Sequence, residues 1–149
     1  MSLIKSTQAG LTASVELAGI PELLKQLTRV GGIPGSTRAQ KILLAGGRVL
    51  RDEARRRAPF DPTRTTGTHL RDAIIHTRGR WDPANPSIVV MVRRRRRGAP
   101  HAHLLEYGTR RMQARPFMRP AVAVVGGRIV EQIARDLARA IEAIERGES

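Results

Sequence analysis

Two long stretches of the chain carry apolar residues at helical spacing. The first runs from an N-cap at Ser36 to Ala58, just before Pro59. Its apolar face is formed by Ile42, Leu43, Gly46, Val49, Leu50 and Ala54. The second runs from about Pro120 to Arg146, with a stripe of Val122, Val125, Ile129, Ile133, Leu137, Ile141 and Ile144. Stripes at this spacing predict two long amphipathic helices, each with one face in the core.

Three shorter stretches follow strand patterns. Leu11 to Leu17 alternates apolar and polar residues, which predicts a half-buried strand. Leu70 to about Arg78 and Ser87 to about Arg93 predict two more strands, joined as a hairpin by a long turn. The run Ile88–Val92 is apolar on both faces, so its strand should be central or covered on both sides.

Short helices are predicted from Pro21 to about Val30 and from Ala102 to Tyr107. The polar residues 1–10 are interpreted as a mobile N-terminal arm, and residues 11–149 as a single domain. The expected fold class is α+β: a small three-stranded, mostly antiparallel sheet with two long helices and two short helices packed on it. One face of such a sheet stays partly uncovered, which suggests that neighbouring subunits complete its burial.

Each long helix contains a Gly-Gly pair, and Gly46 and Gly126 each lie within an apolar stripe. Glycine inside a helix costs about 1 kcal/mol relative to alanine. We therefore predict a close helix–helix contact at Gly46 and Gly126, where a side chain would not fit. A harmless kink is the alternative, and a higher melting temperature for Gly126→Ala would exclude close packing there.

Composition narrows the possible functions. The chain has 149 residues, 3% aromatic residues and no cysteine, so we expect an aliphatic core without disulfides or thiolate metal sites. No apolar run reaches the roughly 20 residues of a membrane span, and no signal-peptide pattern begins the chain, so we expect a soluble protein made in a cytoplasm. The net charge is +14, which favours a polyanionic partner. A GC-rich genome explains arginine in place of lysine equally well, but it does not explain the net charge.

The positive charge is concentrated late in the chain. Residues 93–119 hold nine arginines against one acid, Glu106. The run of Arg93, Arg94, Arg95, Arg96 and Arg97 follows a predicted strand and precedes Gly98, so it is expected to project as a loop. Contact with DNA phosphate or with an acidic partner is the functional interpretation, and a solvated loop tip is the alternative.

Residues suited to catalysis are scattered. The 13 acids form no evident acid/base pair, and the Gly-rich stretches lack the Lys and Ser/Thr of a phosphate loop. His101 and His103 are two residues apart, so on a helix they point to different faces and joint metal binding is not expected, whereas in a strand they could share a face. We therefore expect a non-enzyme with no cofactor and no metal.

Two spaced motifs carry a family resemblance. Leu105-Glu106-Tyr107-Gly108-Thr109, followed by Met112 to Ala121 (MQARPFMRPA), resembles a signature of tailed-phage neck and tail-completion proteins, the gp-ten-like family. Upstream, Ala54 to Pro59 (ARRRAP) and Thr66 to Ile74 (TGTHLRDAI) look like that family's first segment. The likeness extends over about residues 20–146.

The resemblance implies a structural protein of the virion, assembled in the host cytoplasm. Such proteins form a ring, usually six-fold, at the head–tail junction around the DNA channel. The implied partners are further copies of the chain, the head-closure or connector protein, the tail terminator or tail tube protein, and genomic DNA through non-specific phosphate contacts, with no membrane.

The segment around Gly108–Pro120 is the expected interface in such a ring. A ring needs two complementary surfaces on each subunit. The residues predicted to meet a neighbouring subunit or partner are Tyr107, Arg110, Arg111, Arg115, Pro116, Phe117 and Arg119. Phe117 is equally suited to the core of its own subunit.

A second interpretation is a stand-alone basic protein that binds nucleic acid without sequence specificity, with the same arginine clusters as its footprint. It predicts a monomer or dimer whose DNA affinity falls steeply with salt. The first interpretation predicts oligomers and weak DNA affinity at most.

Overall fold

The computed structural model describes residues 12–14, 22, 25, 37–63, 67–79, 88–94 and 98–147. The three strands in this part of the chain are β1 (Thr12–Ser14), β2 (Ile74–Arg78) and β3 (Ile88–Val92). The four helices whose bounds are described are α1 (Thr37–Arg57), α2 (Leu70–Ala73), α3 (Ala102–Tyr107) and α4 (Met118–Glu145). The α+β class is therefore confirmed.

The body of the sheet is the antiparallel pair β2 and β3, in which Ile74 lies opposite Val92 and Arg78 opposite Ile88. The three residues of β1 pair antiparallel with the other edge of β3. Val90 and Val92 are buried in the core, whereas Val89 and Met91, which point to the opposite face, are only partly buried. The central position of β3 accounts for its apolar residues on both faces.

The predicted strand from Leu70 to Arg78 is wrong in its first four residues. Leu70–Ala73 forms a helical turn, in which the N–H groups of Asp72 and Ala73 donate to the His69 carbonyl at 3.0 and 3.2 Å. The i,i+3 spacing of Leu70 and Ala73 places both side chains in the core. A strand would have turned them to opposite faces.

The long helices lie close to their predicted positions. The predicted N-cap Ser36 lies outside the described residues, and α4 begins at Met118 rather than at Pro120. Proline is tolerated in the first turn because those N–H groups have no carbonyl partner within the helix. Of the predicted helix from Pro21 to Val30, only Glu22 and Lys25 are described, and both are helical. The predicted arm at residues 1–10 lies outside the described residues.

The core is formed where α1 packs against α4 and against the sheet. The predicted stripe of α4 is buried, except that Ile144 is partly exposed. Val49 was predicted to lie in the core face of α1, but it is 47% exposed and borders a groove between α1 and α4. The face that is buried holds Leu43, Leu50 and Ala54, and Val49 lies at its edge.

The Gly46–Gly47 pair allows α1 to lie close to two neighbours at once. A Cβ atom on Gly46 would lie 2.7 Å from Ile133 Cδ1 and 2.9 Å from Ile129 Cγ2, both on α4. A Cβ atom on Gly47 would collide with Ile88 of β3. Gly126 is buried within α4, and close contact at that position stays a prediction.

Gly46→Val is expected to destabilise the protein by about 1–3 kcal/mol, because the added methyl groups overpack the contact with α4. Gly127→Ala is the matched control, since nothing lies within 4 Å of its added Cβ. The control is expected to stabilise the protein by about 0.5–1 kcal/mol through helix propensity alone. Urea unfolding of both variants measures the difference, and wild-type stability for Gly46→Val would contradict the close packing.

Candidate docking loop and its anchor

Helix α3 ends at Gly108, where the chain turns sharply. The Gly108 N–H donates to the Leu104 carbonyl at 2.8 Å, and its backbone has φ 73° and ψ −176°. This region of backbone conformation is open essentially to glycine alone. A Cβ atom would also lie 2.8 Å from the Met112 carbonyl oxygen and 2.9 Å from the Ala114 nitrogen. Only glycine therefore fits this turn.

Residues 109–115, which we call the arginine loop, are held by backbone hydrogen bonds at both ends. Thr109 and Met112 exchange N–H to carbonyl bonds of 2.9 and 3.3 Å, and the Arg111 N–H donates to Thr109 Oγ1 at 3.2 Å. The Arg115 N–H donates to the Leu105 carbonyl of α3 at 2.7 Å. Its backbone is thus ordered before any partner arrives.

Glu106, which precedes the arginine loop, binds the residues that follow the loop at the start of α4. Its side chain is fully buried, and Oε2 accepts the N–H groups of Phe117 and Met118 at 2.8 and 3.0 Å. Oε1 accepts the N–H of Arg119 at 2.9 Å. These N–H groups begin α4 and have no carbonyl partner in the helix. A carboxylate there satisfies them and lies at the positive end of the helix dipole.

Arg119 completes the anchor from the solvent side. Its Nε lies 3.3 Å from Glu106 Oε1, and its Nη2 donates to the Glu106 backbone carbonyl at 3.1 Å. The same guanidinium lies over the Tyr107 ring, 5.0 Å from the centroid. Glu106 is therefore a buried charge whose acceptor positions are all used, which is the condition under which such burial is tolerated.

In the sequence, Glu106 stands out as the single acid among nine arginines and as a member of the Leu105–Thr109 motif, but neither feature predicts a role for its side chain. One signal was available: α4 starts at Phe117-Met118, where no Ser, Thr, Asp or Asn supplies a side-chain cap. A helix start without a local cap needs an acceptor from elsewhere in the chain.

The residues predicted for the interface separate into two groups. Arg110, Arg111, Arg115 and Pro116 are exposed, and Tyr107 is 44% exposed. Phe117 is completely buried in its own subunit, so of its two predicted roles the structure assigns the core. Its N–H is bound to the buried Glu106 carboxylate, so the start of α4 is tied to α3 at this residue.

The predicted Arg93–Arg97 cluster lies only partly within the described residues. Arg93 and Arg94 are exposed, and Arg95, Arg96 and Arg97 lie outside the described residues. The Arg93 N–H donates to the Ala73 carbonyl at 2.9 Å, and the Ala99 N–H donates to the Arg93 carbonyl at 2.7 Å. Arg93, the first residue of the cluster, and Ala99, which follows it, are therefore hydrogen-bonded to each other beside the start of β2.

Arginines at the end of α1 are used within the chain. Arg55 donates from Nε and Nη2 to the Ile74 carbonyl at 3.1 and 2.8 Å, which ties α1 to the start of β2. Arg56 and Arg57 bind Glu53 at 2.7 and 2.6 Å. These hydrogen bonds lower the pKa of Glu53 from 4.5 to about 2.

His76 of β2 lies beneath the arginines of α1. Arg51 Nη1 lies 3.3 Å from His76 Nδ1. Burial lowers the pKa of His76 below its usual 6.5, and the nearby positive charges of Arg51 and Arg48 lower it further. The neutral imidazole is therefore favoured, with Nδ1 placed to accept from Arg51.

Protein stability is expected to fall as the pH drops below about 6.5, because the unfolded state then binds a proton on His76 that the folded state resists. The slope from one such group stays under about 1.4 kcal/mol per pH unit. His76→Gln should flatten it. Urea unfolding at about pH 7.5 and about pH 5.5 compares the two proteins above the range in which Glu53 titrates. An unchanged dependence of stability on pH in the variant would contradict a lowered pKa of His76 in the folded protein.

Within the described residues no three His, Cys, Asp or Glu side chains gather as a metal site would require. His103 is exposed on α3 with its Nδ1 3.1 Å from the Pro100 carbonyl, and His101 is exposed just before the helix. None of the helices in the described ranges is long and apolar enough to cross a membrane.

Residues 21–108 match the model of a family of phage tail components, described as "Bacteriophage HK97-gp10, putative tail-component". Because the match covers more than half of the chain, the protein belongs to the HK97-gp10-like family. The match ends at Gly108, so the arginine loop and α4 lie beyond it. Neither a curated protein nor a solved structure matches the chain.

Proposed function

We propose that the protein forms a six-membered ring at the head–tail junction of a long-tailed bacteriophage, where it joins the connector to the tail tube around the DNA channel. Membership of a tail-component family supports a structural role in the phage particle. In this role the chain acts by fitting against other coat proteins and transforms no substrate. It needs neither a cofactor nor a metal ion.

The observation that carries the proposal is the preformed arginine loop. Its backbone is fixed by the bonds to α3, and the buried Glu106 carboxylate fixes the start of the helix that follows. A surface whose order is already established at folding binds with a smaller entropy cost, which suits permanent assembly. Tyr107, Arg110, Arg111, Arg115, Pro116 and Arg119 are the proposed subunit or partner contacts, with Phe117 supporting them from the core.

Whichever partner the arginine loop meets, closing a ring needs complementary contact surfaces between subunits. The outer face of the sheet is a candidate, since Val89 and Met91 are only partly buried by the described residues. Arg93–Arg97 is proposed to contact DNA in the channel or an acidic partner. The proposed partners are other copies of the chain, the head-closure or connector protein, and the tail terminator or tail tube protein.

Electron microscopy of the purified protein and of intact particles tests the ring directly. The expected result is a closed ring in solution or after addition of partner proteins, and density for the chain at the neck. A monomer that binds DNA with an affinity falling steeply with salt would instead support a stand-alone nucleic-acid-binding protein.

Replacing Arg93–Arg97 with serine separates the two roles of that cluster. DNA retention in filled heads and joining of heads to tails are measured separately. Loss of retention alone assigns the cluster to DNA, and loss of joining alone assigns it to a protein partner. The matched control replaces Arg128, which is exposed on α4, with serine.

A further inference from the structure

We infer that the arginine loop, together with Tyr107 and Arg119, docks onto an acidic protein surface that belongs to a different coat protein, and not to a second copy of this chain or to DNA. The inference rests on the proposed function, and it specifies which class of partner the arginine loop meets. Three observations decide between the three classes of partner: the unpaired charge of the loop, the acids already used within the chain, and the occupied start of α4.

The loop presents cations that the described residues do not neutralise. Arg110, Arg111 and Arg115 are exposed, and none of the three side chains forms an ion pair within the described part of the chain. The sequence contains no acid between Tyr107 and Val130. Because the backbone beneath these side chains is fixed, their charges stay clustered and favour a concentrated counter-charge.

A second copy of the chain is poorly suited to supply that counter-charge. The chain has 13 acids, and six of the ten that the structure describes already bind a cation of the same chain. These six are Glu22, Asp52, Glu53, Glu106, Glu131 and Asp136. A copy also carries the same net charge of +14, so electrostatics oppose contact between two copies at this loop.

The structure also favours protein over DNA. The start of a helix often binds phosphate through its N–H groups, but here Glu106 already occupies those of Phe117, Met118 and Arg119. Two exposed apolar side chains, Tyr107 at 44% and Met112 at 36%, flank the cations. Tyrosine, methionine and arginine are the residue types enriched at protein interfaces, whereas phosphate contacts need no such apolar neighbours.

Arg119 links the two parts of this surface. Its guanidinium lies over the Tyr107 ring while Nε faces Glu106, so the ring is held beside the loop. The partner that fits is a surface with several Asp or Glu side chains around an apolar depression that receives Tyr107 and Met112. Planar guanidinium groups pair with carboxylates in a two-point geometry.

Photo-crosslinking in assembled particles tests the inference. A photoreactive amino acid replaces Met112 in the full-length chain, which complements a phage lacking its own copy, and the crosslinked peptide is identified by mass spectrometry. The expected product joins Met112 to a segment of another virion protein with net negative charge. The matched probe position is Arg139, exposed on α4 and about 30 Å along the helix from Arg119.

Crosslinks to this chain's own peptides or to DNA would overturn the inference and leave the ring proposal standing. Absence of the chain from particles would overturn both. In the crosslinkable protein, Arg111→Glu should lower the yield of the Met112 product by about tenfold, because it sets like charges against each other. Arg139→Glu, which makes the same change of charge elsewhere, should leave it unchanged. An equal loss in the two variants would also overturn the inference.

Discussion

Glu106→Gln is expected to destabilise the protein by about 3 kcal/mol and to lower its melting temperature by about 6–12 °C. The amide keeps the size of the side chain but replaces one acceptor oxygen with an NH2 donor. That donor would face N–H groups of Phe117, Met118 or Arg119, which would lose their partner in a buried site. Thermal unfolding followed by circular dichroism measures the loss.

The matched control for this prediction is Glu131→Gln. Glu131 is exposed on α4, where it lies 3.7 Å from Arg135. Exposed pairs of this kind contribute under about 1 kcal/mol, so the control should unfold close to the wild-type temperature. If Glu106→Gln behaved like the control, the carboxylate would not be the anchor of α4.

Gly108→Ala is expected to cost about 3 kcal/mol, from two separate causes. The backbone at φ 73° and ψ −176° is strained for any residue with a Cβ atom, at about 1–3 kcal/mol. The added methyl would also meet backbone atoms of Met112 and Ala114 that cannot move aside without opening the loop. Urea unfolding measures the total loss.

Gly147→Ala is the comparison variant, in which a positive φ occurs without a collision. Gly147 follows α4 with φ 74°, but nothing lies within 4 Å of an added Cβ. This variant should lose only the cost of a left-handed backbone, about 1 kcal/mol. Equal losses in the two variants would mean that neither the collision with the arginine loop nor the additional strain of the Gly108 backbone contributes.

The parts of the fold that periodicity governs could be predicted from the sequence. The stripe of α4 from Val122 to Ile141 repeats every three or four residues, and those residues are buried. The stretch Leu70–Arg78 could not be divided correctly, because one helical turn leaves too short a pattern to distinguish from a strand. Val49 has the right residue type for the core, but only tertiary packing decides how wide the buried stripe is.

The sequence predicts which charged residues the candidate site contains, but not the buried contact that holds the site in place. Composition shows where Arg110, Arg111 and Arg115 lie in the sequence, and the structure places them outside. The role of Glu106 depends on bringing α3 against the start of α4, across about ten residues of loop, and no local pattern encodes that contact. Phenylalanine at position 117 suits a core and an interface equally well, and only the structure shows that it lies in the core.

The groups that fix the backbone of the arginine loop are not the side chains that it exposes to a partner. Every bond that secures it involves the backbone, Thr109 or Glu106, while the side chains of Arg110, Arg111 and Gln113 make none of those bonds. Exchanging those three residues should therefore alter what the loop recognises at little cost in stability. A phage lineage could in this way acquire a different neighbour while inheriting the same subunit scaffold.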